Sequence, residues 1–100
     1  MKKVSKRKID KDNKLISRVR EVITDNTAWE MLFLSIAVTK DVLYVDVATS
    51  AFDNVPVYRR FEILSFLFET QGKDVVEKYT LIFYPLDSSE YTWVRGSPSA

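Results

Sequence analysis

The sequence predicts an α+β fold in the order α-β-β-α-β, a three-stranded mixed sheet with two helices packed on one face. Three observations predict it. Leu15, Ile16, Val19, Val22 and Ile23 recur at spacings of three and four, the period of one helix face. Two apolar runs rich in β-branched residues, 29–39 and 42–48, are separated only by Lys40-Asp41, the length of a hairpin turn. A strongly apolar helical run, 56–71, is then followed by Gly72 and a further strand-like run, 75–84, which makes a strand–helix–strand crossover.

Each element has its own justification. Residues 1–11 read as a basic flexible tail, 12–94 as a single domain, and 95–100 as a second flexible tail; 100 residues suffice for one small domain. The first helix starts at Asp12 or Asn13 and stops at the turn-forming Asp25-Asn26-Thr27. In the run 29–39, Leu32, Leu34, Ile36 and Val38 share one face, and Trp29, Met31, Phe33 and Ala37 the other. Both faces are apolar, which suits a central strand or one half covered by a partner; a helix is the competing reading. The run 42–48 alternates more cleanly, with Leu43, Val45 and Val47 against Val42, Tyr44, Asp46 and Ala48.

Pro56 suits the first position of the second helix, where its missing N–H is no loss, and Asp53 and Asn54 are capping types just upstream. Val57, Phe61, Leu64 and Phe68 form its apolar stripe, widened by Ile63, Phe66 and Leu67, while Arg59, Arg60, Glu62, Ser65 and Glu69 lie mostly off it. A helix so apolar needs a sheet on one side and a partner on another. Gly72 stands where a left-handed C-terminal cap is wanted. In the run 75–84, Tyr79, Leu81 and Phe83 oppose Thr80, Ile82 and Tyr84, and Pro85 ends it. Residues 87–94 form a short helical turn or an edge segment.

The hairpin makes the first two strands antiparallel, and the crossover makes the third parallel to the second with a right-handed connection. Whether the third strand pairs beside the first or the second stays open. One sheet face is left uncovered, carrying Trp29, Phe33 and Tyr44, or Tyr79 and Phe83, according to register. An apolar sheet face in water is a binding site or a dimer interface.

Composition excludes several chemistries. The chain has no cysteine, so disulfides, thiolate nucleophiles, zinc knuckles and cysteine-held iron–sulfur clusters are out. It has no histidine, the usual general base near neutral pH and the commonest metal ligand. Asp46, Asp53, Asp74, Glu77, Asp87 and Glu90 are scattered, and no spacing among them demands a catalytic pair. The expectation is a protein that is not an enzyme and uses no cofactor or metal. A basic N-terminus without an apolar segment after it, and the absence of any run long enough to span a membrane, point to a cytoplasmic protein.

The formal net charge of +1 conceals a split. Residues 1–20 hold nine Lys and Arg against two Asp, a net +7; residues 21–100 hold six against twelve acidic residues, a net −6. Lys2, Lys3, Lys6, Arg7, Lys8 and Lys11 are candidate phosphate contacts of a basic arm, and such contacts would make binding salt-dependent. The plainer reading is a solvated tail, or one that meets the acidic body of another subunit; no aromatic residue interleaves the arm to favour single-stranded nucleic acid. Arg59 and Arg60, near the start of the second helix, suit an anion site there, against the plainer reading of surface pairing with Glu62 or Asp53.

One family resemblance has its own motifs. Thr49-Ser50-Ala51-Phe52, Arg60-Phe61-Glu62 and Val76-Glu77-Lys78-Tyr79 stand where the BolA family carries Ser-Asp-x-Phe, an Arg-His-Arg helix and Val-His-Ala-Leu. Phe52, Arg60 and Val76 match with ungapped spacing, and residues 45–64 with the following strand resemble that family over roughly half the chain. The resemblance implies an α+β core of the predicted order. In that family the function implied is iron–sulfur handling with monothiol glutaredoxins, through a histidine that would fall at Glu77; carboxylate is a poor substitute for imidazole on iron. The family's longer loop between the first two strands is here only Lys40-Asp41. The related type II KH shape needs a Gly-x-x-Gly loop to clamp phosphates, and Gly72 and Gly96 are the only glycines.

The function expected from all this is a non-enzymatic interaction domain that binds a protein partner or pairs as a homodimer. Trp29, Phe33, Tyr44, Tyr91 and Trp93 are its candidate interface residues. The alternatives are a nucleic-acid-binding module using the basic arm, and a small-ligand or anion sensor using the space between the second helix and the sheet.

Overall fold

The position of one strand organises the architecture. In the computed structural model, which describes residues 6–96, β2 (Val42–Thr49) lies between β1 (Met31–Thr39) and β3 (Thr80–Leu86). β1 and β2 are antiparallel, and β2 and β3 parallel, so the fold is α+β with an open three-stranded mixed sheet. The helices are α1 (Lys6–Thr24), α2 (Val57–Gln71), the single turn α3 (Lys73–Val76) and α4 (Ser88–Gly96).

The apolar alternation of β2 sets the inside. Leu43, Val45 and Val47 are buried, and register places Val38, Ile36 and Leu34 of β1 and Leu81, Phe83 and Pro85 of β3 beside them. Val19, Val22 and Ile23 of α1 and Leu64, Leu67 and Phe68 of α2 close over this face, with Phe52 and Val75 filling the ends. A fully buried side chain of this kind contributes about 1.5–3 kcal/mol. The third strand thus pairs with the second, the choice that sequence left open.

Several expectations are corrected. β1 is an edge strand and not a central one; its core-side residues Leu34, Ile36 and Val38 stay half-buried because no further strand lies beyond them. α1 begins at Lys6, so residues 6–11 are helical and not a flexible tail; residues 1–5 of that expected tail lie outside the described residues. Likewise α4 extends through Gly96, and 97–100 of the expected C-terminal tail lie outside them. Val75 and Val76 belong to a helical turn, so β3 starts only at Thr80, and it continues through Pro85 to Leu86. Proline is tolerated there because β3 is an edge.

Gly72 is not a left-handed cap: its φ is −133°. Space is the reason for glycine. A Cβ there would meet Val22 Cγ2 at 3.0 Å and Phe68 Cδ2 at 3.1 Å, so α1 and the end of α2 approach over a missing side chain. Left-handed backbone occurs instead at Lys40 (φ 55°) in the hairpin turn and at Asn54 (φ 65°) before α2. Pro56 is the N-cap residue of α2, not its first helical one.

α2 is covered less than its composition suggests. Leu64, Leu67 and Phe68 are buried, but Val57, Tyr58, Phe61 and Phe66 remain exposed. Arg60, expected on the polar side, is buried, because it shares the face of Leu64 and Leu67 at helical spacing.

Candidate functional site

The outer face of the sheet is the surface this fold leaves open. Strand alternation puts Phe33, Ser35 and Ala37, then Tyr44, Asp46 and Ala48, then Ile82, Tyr84 and Leu86 opposite the core side. Register joins them in rows: Ala37, Tyr44 and Ile82; Ser35, Asp46 and Tyr84; Phe33, Ala48 and Leu86. Phe33, Tyr44, Ile82 and Tyr84 are each 42–53% exposed, against 0–1% for Leu43, Val45 and Val47 on the core side. Apolar rows thus flank a middle row in which Ser35 and Asp46 stand beside Tyr84, and half-exposed rings on all three strands are unlike scattered surface leucines or valines.

α4 covers one end of this face. Its Tyr91 ring stacks on Phe33 with centroids 5.7 Å apart and planes 26° apart, and Ala48 is fully buried. A concavity of about 370 Å³ remains between α4 and the sheet, lined by Phe33, Asp46, Tyr84, Leu86, Tyr91 and Val94.

A buried cation fixes α4 there. Arg60 Nε donates to the Val55 carbonyl at 2.8 Å, Nη1 donates to the Pro85 carbonyl at 3.3 Å and to Glu90 Oε1, and Nη2 donates to Asp87 Oδ2 at 3.3 Å. Its guanidinium carbon lies 6.0 Å from the centroid of Phe52. Asp87 and Glu90 form a reciprocal capping box: the Glu90 N–H donates to Asp87 Oδ1 at 2.7 Å, and the Asp87 N–H donates to Glu90 Oε1 at 3.0 Å. The Asp87 backbone N–H, and after it Arg60, hold the Glu90 carboxyl below the usual carboxylate range. Asp53 completes the clasp by accepting from the Ser88 N–H and hydroxyl at 2.9 and 3.0 Å. Asp53 therefore serves α4 and not the α2 N-terminus.

A second ionic contact ties α1 to α3. Arg18 donates to both oxygens of Asp74 at 3.0 Å and to the Gln71 carbonyl. These hydrogen bonds lower the Asp74 pKa and raise that of Arg18.

The expected site residues divide. Phe33 and Tyr44 stand on the open face. Tyr91 borders that face but docks within the chain, on Phe33. Trp29 is removed from the interface: it packs on the core, edge-on to Phe52 with centroids 5.1 Å apart. Trp93 is 73% exposed on α4, beside a shallow cleft bordered by Asp53, Asn54 and Ser88. Tyr79 and Phe83 turn to the core side; Ile82 and Tyr84 take the open face, because β3 runs parallel to β2 in the register that pairs Leu43 with Leu81.

Among the expected anion contacts, Arg60 is consumed by its internal bonds, and Arg59 pairs with Glu62 at 3.1 Å on the surface. The expected anion pocket between α2 and the sheet is lined by Ser65, Phe68, Glu69, Tyr79 and Phe83 among others, with no cationic side chain. Lys6, Arg7 and Lys8 lie in the first turn of α1, Lys11 is exposed one turn on, and Lys2 and Lys3 lie outside the described residues.

Sequence reasoning missed the Arg60 clasp. The clasp had a signal: Arg60 stands four residues before Leu64, and Asp87-Ser88-Ser89-Glu90 has capping-box spacing. Among the described residues, no three acidic side chains converge as a metal site, and no helix is long and apolar enough to cross a membrane. Compared with protein-family models, with curated proteins and with solved structures, the chain matches none.

Proposed function

We propose that this chain is a non-enzymatic interaction domain, built on a BolA-like core without the ligand histidine, that binds a protein partner or a second copy of itself through its outer sheet face. The observation that carries this reading is the row structure of that face: Phe33, Tyr44, Ile82 and Tyr84 span all three strands and remain about half exposed. Water contact at such a face is unfavourable by roughly 25 cal/mol per Å² of apolar surface, which a partner's surface would recover. Exposed aromatic anchors such as Phe33, Tyr44 and Tyr84 are the residue types enriched at interface hot spots. The edge strand β1 extends the same surface with nine residues that carry no charge and no proline, the features by which edges usually repel a neighbour.

This reading is favoured over nucleic-acid binding because two of the chain's cations work internally: Arg60 holds α4 and Arg18 holds Asp74. Light scattering after size exclusion tests the proposal, with Ile82→Lys as the variant. The wild type is expected to self-associate at micromolar concentrations, and the variant to be monomeric with unchanged circular dichroism. If the wild type is monomeric, a photo-crosslinker at position 82 should capture one stoichiometric partner that a Tyr44→Lys variant fails to capture. A monomer that captures nothing refutes the proposal.

A further inference from the structure

The outer face contains a carboxylate with no partner among the described residues. Asp46 lies in the central strand, where aspartate is disfavoured, and it is half-buried. Among the described residues it has no ionic or hydrogen-bonding partner, while the other partly buried carboxylates of this end of the molecule, Asp87 and Glu90, are fully engaged. Aromatic residues adjoin it in the sheet and share its concavity. Tyr84 is its register partner on β3, Phe33 is a diagonal neighbour on β1, and Tyr91 stacks on Phe33 from α4. With Leu86 and Val94 they line the concavity of about 370 Å³.

We propose that this concavity binds an organic ammonium cation, its positive nitrogen against Asp46 and its apolar body against the rings. The lining selects that chemistry by elimination as well as by attraction. One carboxylate and two phenol hydroxyls among apolar side chains fall well short of the roughly six to eight oxygen ligands a calcium ion takes. An anion would meet a like charge and no cationic side chain among the lining residues. A neutral apolar molecule would strip water from the carboxylate and leave it unpaired. A cation carried on an apolar body satisfies both features, because the carboxylate attracts it directly and the ring faces attract it through their quadrupoles. The concavity is at the small end of the range of ligand sites, which suits a small amine or the end of one lysine side chain.

The probe is phenethylammonium chloride, titrated into the full ¹⁵N-labelled chain at a concentration where light scattering shows a single species. Phenethyl alcohol is the uncharged control. The ammonium is expected to shift the amides of Phe33, Asp46, Tyr84 and Tyr91 with a Kd of about 1 mM or tighter. The alcohol is expected to bind at least roughly tenfold more weakly, the scale of one modest charge interaction. Asp46→Asn should weaken the ammonium at least about tenfold with circular dichroism unchanged, and Tyr84→Leu should weaken it several-fold.

A second arm uses peptides carrying lysine or trimethyllysine. Tighter binding of a peptide assigns the cation to a protein side chain, and tighter binding of the free amine assigns it to a metabolite; either supports the site. Equal binding of ammonium and alcohol, or an Asp46→Asn variant that binds as well as wild type, overturns it. So does a wild type that binds neither probe; if Asp46→Asn then self-associates, Asp46 serves to keep the face from sticking. The inference needs no partner on the Tyr44 and Ile82 end, so a monomer that binds the ammonium leaves the interface reading to fail alone.

Discussion

Replacing Arg60 by alanine tests how α4 is held over the sheet. The guanidinium is buried and serves two carbonyls, Val55 and Pro85, and two carboxylates, Asp87 and Glu90. Each orphaned carbonyl costs about 1 kcal/mol. Asp87, with its side chain only 17% exposed, loses a pairing that water replaces poorly, whereas Glu90, at 42%, is largely rescued by solvent. The total is about 3 kcal/mol, at the low end of the roughly 3–5 kcal/mol for breaking a fully buried ion pair. For a domain of this size that lowers Tm by about 12–24 °C. It also removes a substantial part of a net stability of roughly 5–15 kcal/mol. Arg60→Lys keeps the charge but not the planar fork, and should recover part of the loss. Urea unfolding measures the free energy, and amide exchange in α4 reports undocking of Tyr91 from Phe33. An Arg60→Ala protein within about 0.5 kcal/mol of wild type, with α4 equally protected, would refute the reasoning.

Two further predictions follow from packing and charge. Gly72→Ala should destabilise by about 1–3 kcal/mol in urea through overpacking against Val22 and Phe68, and combined with Val22→Ala, which has its own core loss, the total should be smaller than the sum of the two single changes. Asp74 and Glu90 both have depressed pKa values, so the stability they confer is complete above the ordinary carboxylate range and is lost as pH falls through it and below. Their side chains are largely solvated, at 59% and 42% exposure, so the combined loss on acidification is about 1 kcal/mol. Urea midpoints compared at neutral and acid pH should show it, and an Asp74→Asn, Glu90→Gln double variant should flatten the decline; an equal decline in the double variant would place the acid sensitivity elsewhere.

Much of the fold was legible because periodicity is a local property. The α1 stripe of Leu15, Val19, Val22 and Ile23, the alternation of Leu43, Val45 and Val47, and the two-residue turn at Lys40 each need only a few neighbouring residues to state their geometry. The errors occur where a local rule met a distant atom. Gly72 has the type expected of a left-handed cap, yet it is required by Val22, fifty residues earlier. Trp29 has the look of an interface residue, yet its half-buried ring packs edge-on against Phe52 at the border of the core. Arg60 belongs by charge to a solvated face, yet Asp87 and Glu90 arrive from beyond β3 to neutralise it inside.

By itself the sequence determined the α+β order, the antiparallel hairpin, the parallel crossover, and the absence of thiol and imidazole chemistry. These follow from side-chain period, chain connectivity and composition, which are written along one dimension. Only the tertiary structure decided which strand is central, which aromatics face outward, and which charges are spent within the chain. Strand order brings Leu86 beside Ala48 and Tyr84 beside Asp46, and the pairing energy that chooses this register is shared among residues some forty positions apart. No window of sequence contains both partners, so the open face, with a carboxylate that has no partner among the described residues, emerges only when the strands are laid side by side.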